Sequence, residues 1–375
     1  MPDSQPARTI IFAGGGSGGH IHPGVAIAEQ LRLIDSSIGI RFIVKDQALD
    51  KAILDAGDWQ HSGIDAAPFV KSPKGLIRLA RRWGGCVRAS RAIIREHLAE
   101  GDVQVVAMGG YVAAPVAQAA RSERVPVTLV NLDAAPGMAN RWIAKRAKVC
   151  MSAAAIPAKF GWSPITPIVR LAAVADADQM ECKRRMGVDP LRPMLLITGA
   201  SQGARSINLL LMAMAEQMPE VFQGWTIVHQ VGPSSGDGGE PDVAGAYRIA
   251  GIDARVIETI DRMGDAWGAC DLAVSRSGAG SVGEIWANAV PALLMPFPYH
   301  RDQHQRLNAA PLIGCGGAAM VEDRIDPARN LQEAGAELIG LLCDQERRDA
   351  MRDGLRSLPP AAGAQAVAES LLGSG

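Results

Sequence analysis

Ala13-Gly14-Gly15-Gly16-Ser17-Gly18-Gly19-His20 follows a short apolar run at 9–12, and Thr198-Gly199-Ala200-Ser201-Gln202-Gly203-Ala204-Arg205 follows another at 194–197. Each opens an amphipathic segment. Glycine permits a tight turn and lets a ligand approach the backbone closely. The helix that follows offers unpaired N–H groups and the positive end of its dipole, a combination suited to phosphate. One such loop near the start of each half implies two nucleotide-type halves facing one cleft.

The rest of the chain fits that frame. Apolar runs alternate with amphipathic stretches, with strands expected at 9–13, 40–44, 103–107, 127–130 and 148–151 in the first half. In the second half they are expected at 194–197, 226–230, 255–257, 272–275, 292–295 and 318–321. Helices are expected at 24–33, 51–56, 74–99, 114–121 and 137–144. Such alternation gives βαβ units and parallel sheets covered on both faces, an α/β class. The two prolines within 160–167 mark an interdomain linker, and the Gly-, Pro- and Ser-rich stretch 231–246 reads as a mobile surface loop.

Composition narrows the function. At 375 residues the chain accommodates two domains with cores of their own. A formal net charge of −1 gives no global footprint for nucleic acid. The six cysteines include no C-x-x-C pair, which favours free thiols over a disulfide framework or a zinc site. No apolar run approaches the ~18 residues of a spanning helix. Residues 1–8 lack an apolar core segment and read as a short disordered tail rather than a signal peptide.

Three further stretches carry chemistry. Gly14-x-Gly16-x-x-Gly19 also satisfies the dinucleotide fingerprint, with Asp46 near the end of the second strand; alone this is a weak signal. His20 follows the glycines, and Pro23 suits a first helical turn. A histidine there either caps the helix or serves as a general base; His22 reads as an exposed loop histidine. Ser275-Arg276-Ser277-Gly278-Ala279-Gly280-Ser281-Val282-Gly283-Glu284 is another strand–loop–helix entry. Glu284 either closes a capping box with Ser281 or accepts hydrogen bonds from vicinal sugar hydroxyls. A polar cluster with Asp302, His304, Gln305 and Asn308 follows the next strand, where ligands bind in parallel sheets. Separately, Lys71, Lys74, Arg78, Arg81 and Arg82 are interleaved with Leu76, Ile77, Leu79 and Trp83. That segment suits an anionic membrane surface, or else a core-facing helix with a solvated basic side.

Taken in order, these motifs resemble the MurG family, the UDP-N-acetylglucosamine–lipid I transferases of peptidoglycan synthesis. The first loop resembles that family's Gly-Gly-Thr-Gly-Gly-His. Gly109-Gly110-Tyr111-Val112, Pro136-Gly137-Met138-Ala139-Asn140-Arg141, Ser201-Gln202-Gly203-Ala204-Arg205, Ser275-Arg276-Ser277-Gly278-Ala279 and His304-Gln305 with Asn308 follow in register. The resemblance covers nearly the whole chain and implies the GT-B fold, two Rossmann-like domains with the active site between them. It implies a first domain at 1–166 for acceptor and membrane, with a terminal helix near 359–375 packing back on it, and a UDP-GlcNAc domain at 167–358.

By the same resemblance, His20 is the base, and Gly16, Ser17, Gly18, Gly19, Gly109, Gly110 and Tyr111 hold the acceptor's diphosphate. Arg170 lies near the nucleotide, Ser201 belongs to the donor-side glycine loop, and Ile260 contacts uracil through its backbone. Ala279, Gly280 and Ser281 surround the donor diphosphate, and Glu284 holds the ribose. Gln305, with His304 and Asn308 beside it, binds the GlcNAc hydroxyls. The implied reaction inverts C1 of GlcNAc as the C4 hydroxyl of MurNAc in lipid I displaces UDP. No cofactor and no metal are implied. The implied location is the cytoplasmic face of the inner membrane, bound peripherally. The chain also departs from the family. Val130-Asn131-Leu132-Asp133 stands where His-Glu-Gln-Asn is usual, so Asp133 replaces an asparagine on the acceptor side. Ala113-Ala114 and Ala200 also depart from the pattern. Another acceptor for the same donor is therefore an alternative, as is a UDP-GlcNAc-binding protein of reduced activity. A UDP-sugar 2-epimerase would need a carboxylate acid/base set that the sequence does not display.

Overall fold

A computed structural model describes residues 8–16, 18–68, 72–199, 203–233, 241–300 and 302–373. The chain divides into two compact units, Met1–Arg170 with Ala362–Gly375, and Leu171–Ala361.

Unit 1 alternates strand and helix from its start: β1 (Arg8–Ala13), α1 (Gly18–Ile34), β2 (Gly39–Lys45), α2 (Ala48–Asp55), β3 (His61–Ile64), α3 (Pro73–Leu98), β4 (Asp102–Ala107), α4 (Gly110–Ser122), β5 (Val127–Asn131), α5 (Met138–Ala144), β6 (Val149–Ser152) and β7 (Ser163–Pro164). All its strand pairs are parallel, in the order β3-β2-β1-β4-β5-β6-β7. Burial on both faces explains the unbroken apolar runs. Ile11 and Ala13 enter a cluster with Ile43, Val105, Val116 and Ile143, while Phe12 stacks on Phe42 with centroids 5.1 Å apart.

Unit 2 comprises α6 (Gln179–Arg185), β8 (Met194–Thr198), α7 (Arg205–Gln217), β9 (Thr226–Gln230), α8 (Val243–Ile249), β10 (Ala254–Ile257), α9 (Met263–Ala269), β11 (Leu272–Ser275), α10 (Ala279–Asn288), β12 (Ala292–Leu294), α11 (His304–Asn308), α12 (Ala310–Gly314), β13 (Ala318–Met320), α13 (Pro327–Asn330), α14 (Ala336–Cys343) and α15 (Gln345–Arg356). Its sheet, β10-β9-β8-β11-β12-β13, is again wholly parallel. Alternate residues of β8 serve opposite faces: Leu195 and Ile197 pack with Ile207, Leu211 and Val274, and Met194 and Leu196 with Val228, Ala273 and Trp267. The last helix, α16 (Gly363–Gly373), belongs to unit 1. It is tied there by Gly363 N–H to Pro167 O at 3.1 Å and Arg8 Nη1 to Leu372 O at 3.4 Å.

Each sheet runs outward from its first strand in both directions, the doubly wound order, so the order reverses between β1 and β4 and again between β8 and β11. Ligands in such sheets bind at the carboxyl ends of the strands beside that reversal. The loops leaving β1, β4, β8 and β11 carry the four small-residue motifs of the sequence.

Several expectations are corrected. The 160–167 segment is not a linker: Met151 pairs with Ser163, Ile165 N–H reaches Ser152 O at 2.9 Å, and the boundary falls after Arg170. An edge strand tolerates Pro164 because its N–H has no partner to lose. β3 was not expected either, since His61-Ser62-Gly63-Ile64 has one aliphatic residue and is held by pairing with β2. Helices α1 and α4 start at Gly18 and Gly110, several residues before the expected positions, so Pro23 lies inside α1 and not in its first turn. The 231–246 loop ends early, because Asp242 caps α8 by accepting from Gly245 N–H at 2.8 Å; residues 234–240 lie outside the described residues.

Candidate active site

In unit 1 the first loop is shaped by what surrounds its glycines. Gly15 and Gly16 have φ of +143° and +88°. A Cβ on Gly15 would lie 2.5 Å from Asp50 Oδ2, and one on Gly16 2.7 Å from the Tyr111 hydroxyl. Asp50, fully buried on α2, accepts Gly16 N–H at 2.8 Å and Gln47 Nε2 at 2.6 Å. Ser17 lies outside the described residues. Gly18 and Gly19 begin α1, which brings His20 into the first turn.

His20 packs against the second glycine pair. Gly109 and Gly110 have φ of +95° and +76°. A Cβ on Gly109 would meet Asn140 Oδ1 at 2.9 Å and His20 Cδ2 at 3.3 Å, and one on Gly110 would meet His20 Cε1 at 3.4 Å. Burial pushes the His20 pKa below its ordinary value, and the negative charges of Asp133 and Asp50 pull partly the other way. The ring is therefore neutral at pH 7, as a general base requires. His22 is corrected from an exposed loop position: it is half-buried within α1, and burial together with the charge of Arg170 brings its pKa down to about 4.

Beside this, Asn131 is fully buried. Its Nδ2 donates to Asp133 O at 2.8 Å and Ser152 Oγ at 2.9 Å, while its Oδ1 accepts from Asn140 Nδ2 at 2.9 Å. This chain fixes the turn that bears Asp133. Asn140 Oδ1 is buried and without a hydrogen-bond partner among the described residues, an acceptor left facing Gly109. Sequence reasoning missed Asp50. Nothing in its local sequence separates it from Asp46, Asp55 or Asp58. Asn140 was quoted in a motif without a role.

In unit 2 the second loop is equally confined. A Cβ on Gly199 would lie 2.2 Å from Ala204 N, and one on Gly203, at φ +69°, 2.3 Å from Val231 O. Ser201 lies outside the described residues. The loop after β11 leads through Gly278 into α10, where a Cβ on Gly278 or Gly280 would meet nothing within 4 Å. The first turn of α10, with Ala279, Gly280 and Ser281, is thus open on that side, and it contains no acidic residue. Ser281 is inside the helix, not its cap, so the capping-box reading fails. Glu284 instead accepts Trp267 Nε1–H at 2.8 Å. Ile260 is buried in the cluster that contains Trp267.

Gln305 Oε1 accepts Phe297 N–H at 2.9 Å, and Asn308 Nδ2 lies 3.5 Å from Ser277 O. His304 Nδ1 bonds Asp302 at 2.8 Å and its ring stacks near His300, centroids 4.2 Å apart. Arg276 points inward: Nη1 donates to Met295 O at 2.8 Å and Asp323 Oδ2 at 2.7 Å, and Nη2 to Ser206 Oγ at 2.8 Å. It belongs to the scaffold of the loop.

Residues 10–152 match the N-terminal domain of glycosyltransferase family 28, and residues 194–357 match its C-terminal domain. A relative from Paenarthrobacter aurescens (strain TC1) is 32% identical over 92% of this chain and 90% of its own length. One from Mycobacterium avium (strain 104) is 32% identical over 98% of this chain and 89% of its own. Both are named UDP-N-acetylglucosamine–N-acetylmuramyl-(pentapeptide) pyrophosphoryl-undecaprenol N-acetylglucosamine transferase. The crystal structure of Acinetobacter baumannii MurG superposes with a TM-score of 0.71 at 22% identity, covering 98% of this chain and 100% of that one. UDP-GlcNAc 2-epimerase from Neisseria meningitidis shares the fold at a TM-score of 0.62 and 11% identity, covering 98% of this chain and 100% of its own. At these identities the solved structures establish the GT-B architecture alone.

Proposed function

The chain belongs to glycosyltransferase family 28 and, within it, to the MurG-type transferases, and we propose that it moves GlcNAc from UDP-GlcNAc to the C4 hydroxyl of MurNAc in lipid I, forming lipid II for peptidoglycan. The observation that carries this is the 32% identity with same-named transferases, continuous over 92% of the chain.

The geometry supports a division of labour. In unit 1, neutral His20 takes the proton from the attacking hydroxyl, a role worth ~10²–10⁴-fold in rate. The N–H groups of Gly18 and Gly19 at the start of α1, with those of Gly109, Gly110 and Tyr111, bind the acceptor's diphosphate, and Gly16, its own N–H held by Asp50, shapes the loop that leads to them. Asp133 contributes negative charge beside the base. In unit 2, the open first turn of α10 receives the donor diphosphate and stabilises the charge that grows on departing UDP. Glu284 binds the ribose hydroxyls, Ile260 the uracil, and Gln305, His304 and Asn308 the sugar. Arg170 adds positive charge near the nucleotide, and Ser201 acts from the second glycine loop.

The acceptor is a polyprenyl lipid, so the protein meets the cytoplasmic face of the membrane. No described helix is long and apolar enough to cross one. The first turns of α3 support a peripheral contact, with Ile77 52% exposed among exposed Lys74, Arg78 and Arg81. Trp83 of α3 meets Trp142 edge-on at 5.8 Å. Trp142 in turn lines an open cavity of about 570 Å³ with Arg141, Lys145, Lys159, Phe160 and Trp162. Aromatic rings beside cations suit the headgroup layer.

Incubation of purified protein with UDP-GlcNAc and lipid I, following UDP and lipid II together, tests the reading. Lipid II formation that drops ~10²-fold or more in His20→Asn supports it. UDP-GlcNAc binding without transfer means a different acceptor or a UDP-GlcNAc-binding protein of reduced activity, and UDP-ManNAc formation means an epimerase.

A further inference from the structure

We propose that Asp50 is a positioning residue for the transfer: from behind the first glycine loop it fixes the Gly15–Gly16 turn and sets a carboxylate near the His20 imidazole. The inference rests on the transferase reading above.

The carboxylate is fully buried. Its Oδ2 accepts Gly16 N–H at 2.8 Å and lies so near Gly15 that a Cβ there would stand 2.5 Å away. Its Oδ1 accepts Gln47 Nε2 at 2.6 Å. Among the described residues no lysine or arginine pairs with it; its neighbour Lys51 turns instead to Asp46 at 2.6 Å. A buried carboxylate held only by neutral donors is costly to keep. A neutral acceptor would hold the same backbone N–H, so the turn alone does not explain the charge.

The charge has a recipient. Against the His20 ring lie uncharged Gly109 and Gly110 from the start of α4, and the charges that reach it are those of Asp50 from α2 and Asp133 from the turn after β5. Arg170 acts on His22, further along α1. Burial makes His20 a poor proton acceptor, and the two carboxylates restore part of its basicity. Asp50 thereby links two requirements of one step: a loop shaped for the acceptor's phosphates and a base able to hold the proton it removes.

The test compares Asp50→Asn and Asp50→Glu with the full-length parent. The His20 ring is titrated by NMR, its resonance assigned with His20→Gln, and the pH profile of kcat/KM is recorded with lipid I. Asn keeps an acceptor for Gly16 N–H and removes the charge. We expect the His20 midpoint and the acid limb of the profile to move down together by ~0.5–1 pH unit in Asp50→Asn. Transfer should fall ~10-fold, and Asp50→Glu should return the midpoint toward the parent's. A His20 midpoint unchanged in Asp50→Asn overturns the proposal, as does a loss of activity that follows unfolding with no movement of the midpoint. If the parent itself makes no lipid II, the transferase reading fails, while the NMR titration still decides whether Asp50 acts on His20.

Discussion

Arg276 sits in a motif that resembles a donor-site signature, yet its surroundings assign it to structure, and Arg276→Met separates the two roles. The guanidinium is 9% exposed and the Asp323 carboxylate it meets is fully buried. Burial opposes the charge on Asp323. Hydrogen bonds from Ser206 Oγ, Asn330 Nδ2 and Ile325 N–H, with the charge of Arg276, outweigh it and hold the carboxyl below its usual range. Removing the arginine leaves an uncompensated buried anion, which costs ~3–5 kcal/mol. Three surviving donors put the expected value at the lower end. At ~2–4 °C per kcal/mol for a unit of this size, a loss of ~3 kcal/mol lowers melting by ~6–12 °C. Urea and thermal unfolding measure the loss, and UDP titration calorimetry well below the lowered melting point measures donor binding. Asp323→Asn added to Arg276→Met removes the stranded charge and should recover part of the stability. A variant that melts like the parent but no longer binds UDP would refute the reasoning, because the guanidinium would then be serving the ligand.

Three other outcomes follow from the geometry. His229 is buried between Tyr247 Oη at 2.9 Å and Asn208 Oδ1 at 3.1 Å, and burial brings its pKa down to about 3. The unfolded chain binds that proton more tightly, so stability is lost as pH falls below ~6.5, by ~2 kcal/mol at pH 5; urea unfolding at pH 7 and 5 should show a shallower loss in His229→Gln. Gly109→Ala forces a Cβ into a +95° backbone 2.9 Å from Asn140 Oδ1, at a local cost of ~1–3 kcal/mol. It should raise KM for lipid I while leaving UDP affinity unchanged, and equal losses for both ligands would contradict the assignment of this loop to the acceptor. Glu284→Gln keeps an oxygen for Trp267 Nε1–H and removes the charge proposed for the ribose, so UDP-GlcNAc KM should rise ~10-fold or more at unchanged stability; an unaltered KM would leave Glu284 a structural residue.

What the sequence reveals follows from where each constraint originates. The central strands are legible because burial on both faces demands unbroken apolar residues, as in Met194–Thr198. The glycine loops are legible because the exclusion of a Cβ at Gly15, Gly109 or Gly203 is a demand on one residue. Edge strands are not: β3 and the two-residue β7 draw their order from the neighbour they pair with, which local pattern does not record. The early starts of α1 and α4 escape for a related reason. Glycine lowers helix propensity, and surrounding structure overrides it.

Asp50 marks the harder limit. Asp46, Asp50, Asp55 and Asp58 stand close together in sequence, and only Asp50 turns inward, because the Gly16 N–H it meets comes from a loop more than thirty residues earlier. Asn131 and Asp133 carry the same point into the site. As a departure from the family pattern they suggested a weakened acceptor side. Asn131 is fully buried and engages Ser152, Asn140 and the backbone of Asp133 through both ends of its amide. A carboxylate at 131 could not donate to Ser152 and Asp133 O as the amide does. With the amide at 131, the negative charge stands at 133, where it acts on His20. In this chain the amide at 131 thus holds the turn and the carboxylate at 133 supplies the charge that acts on His20, a division of labour between two positions that residue-by-residue matching counts as loss.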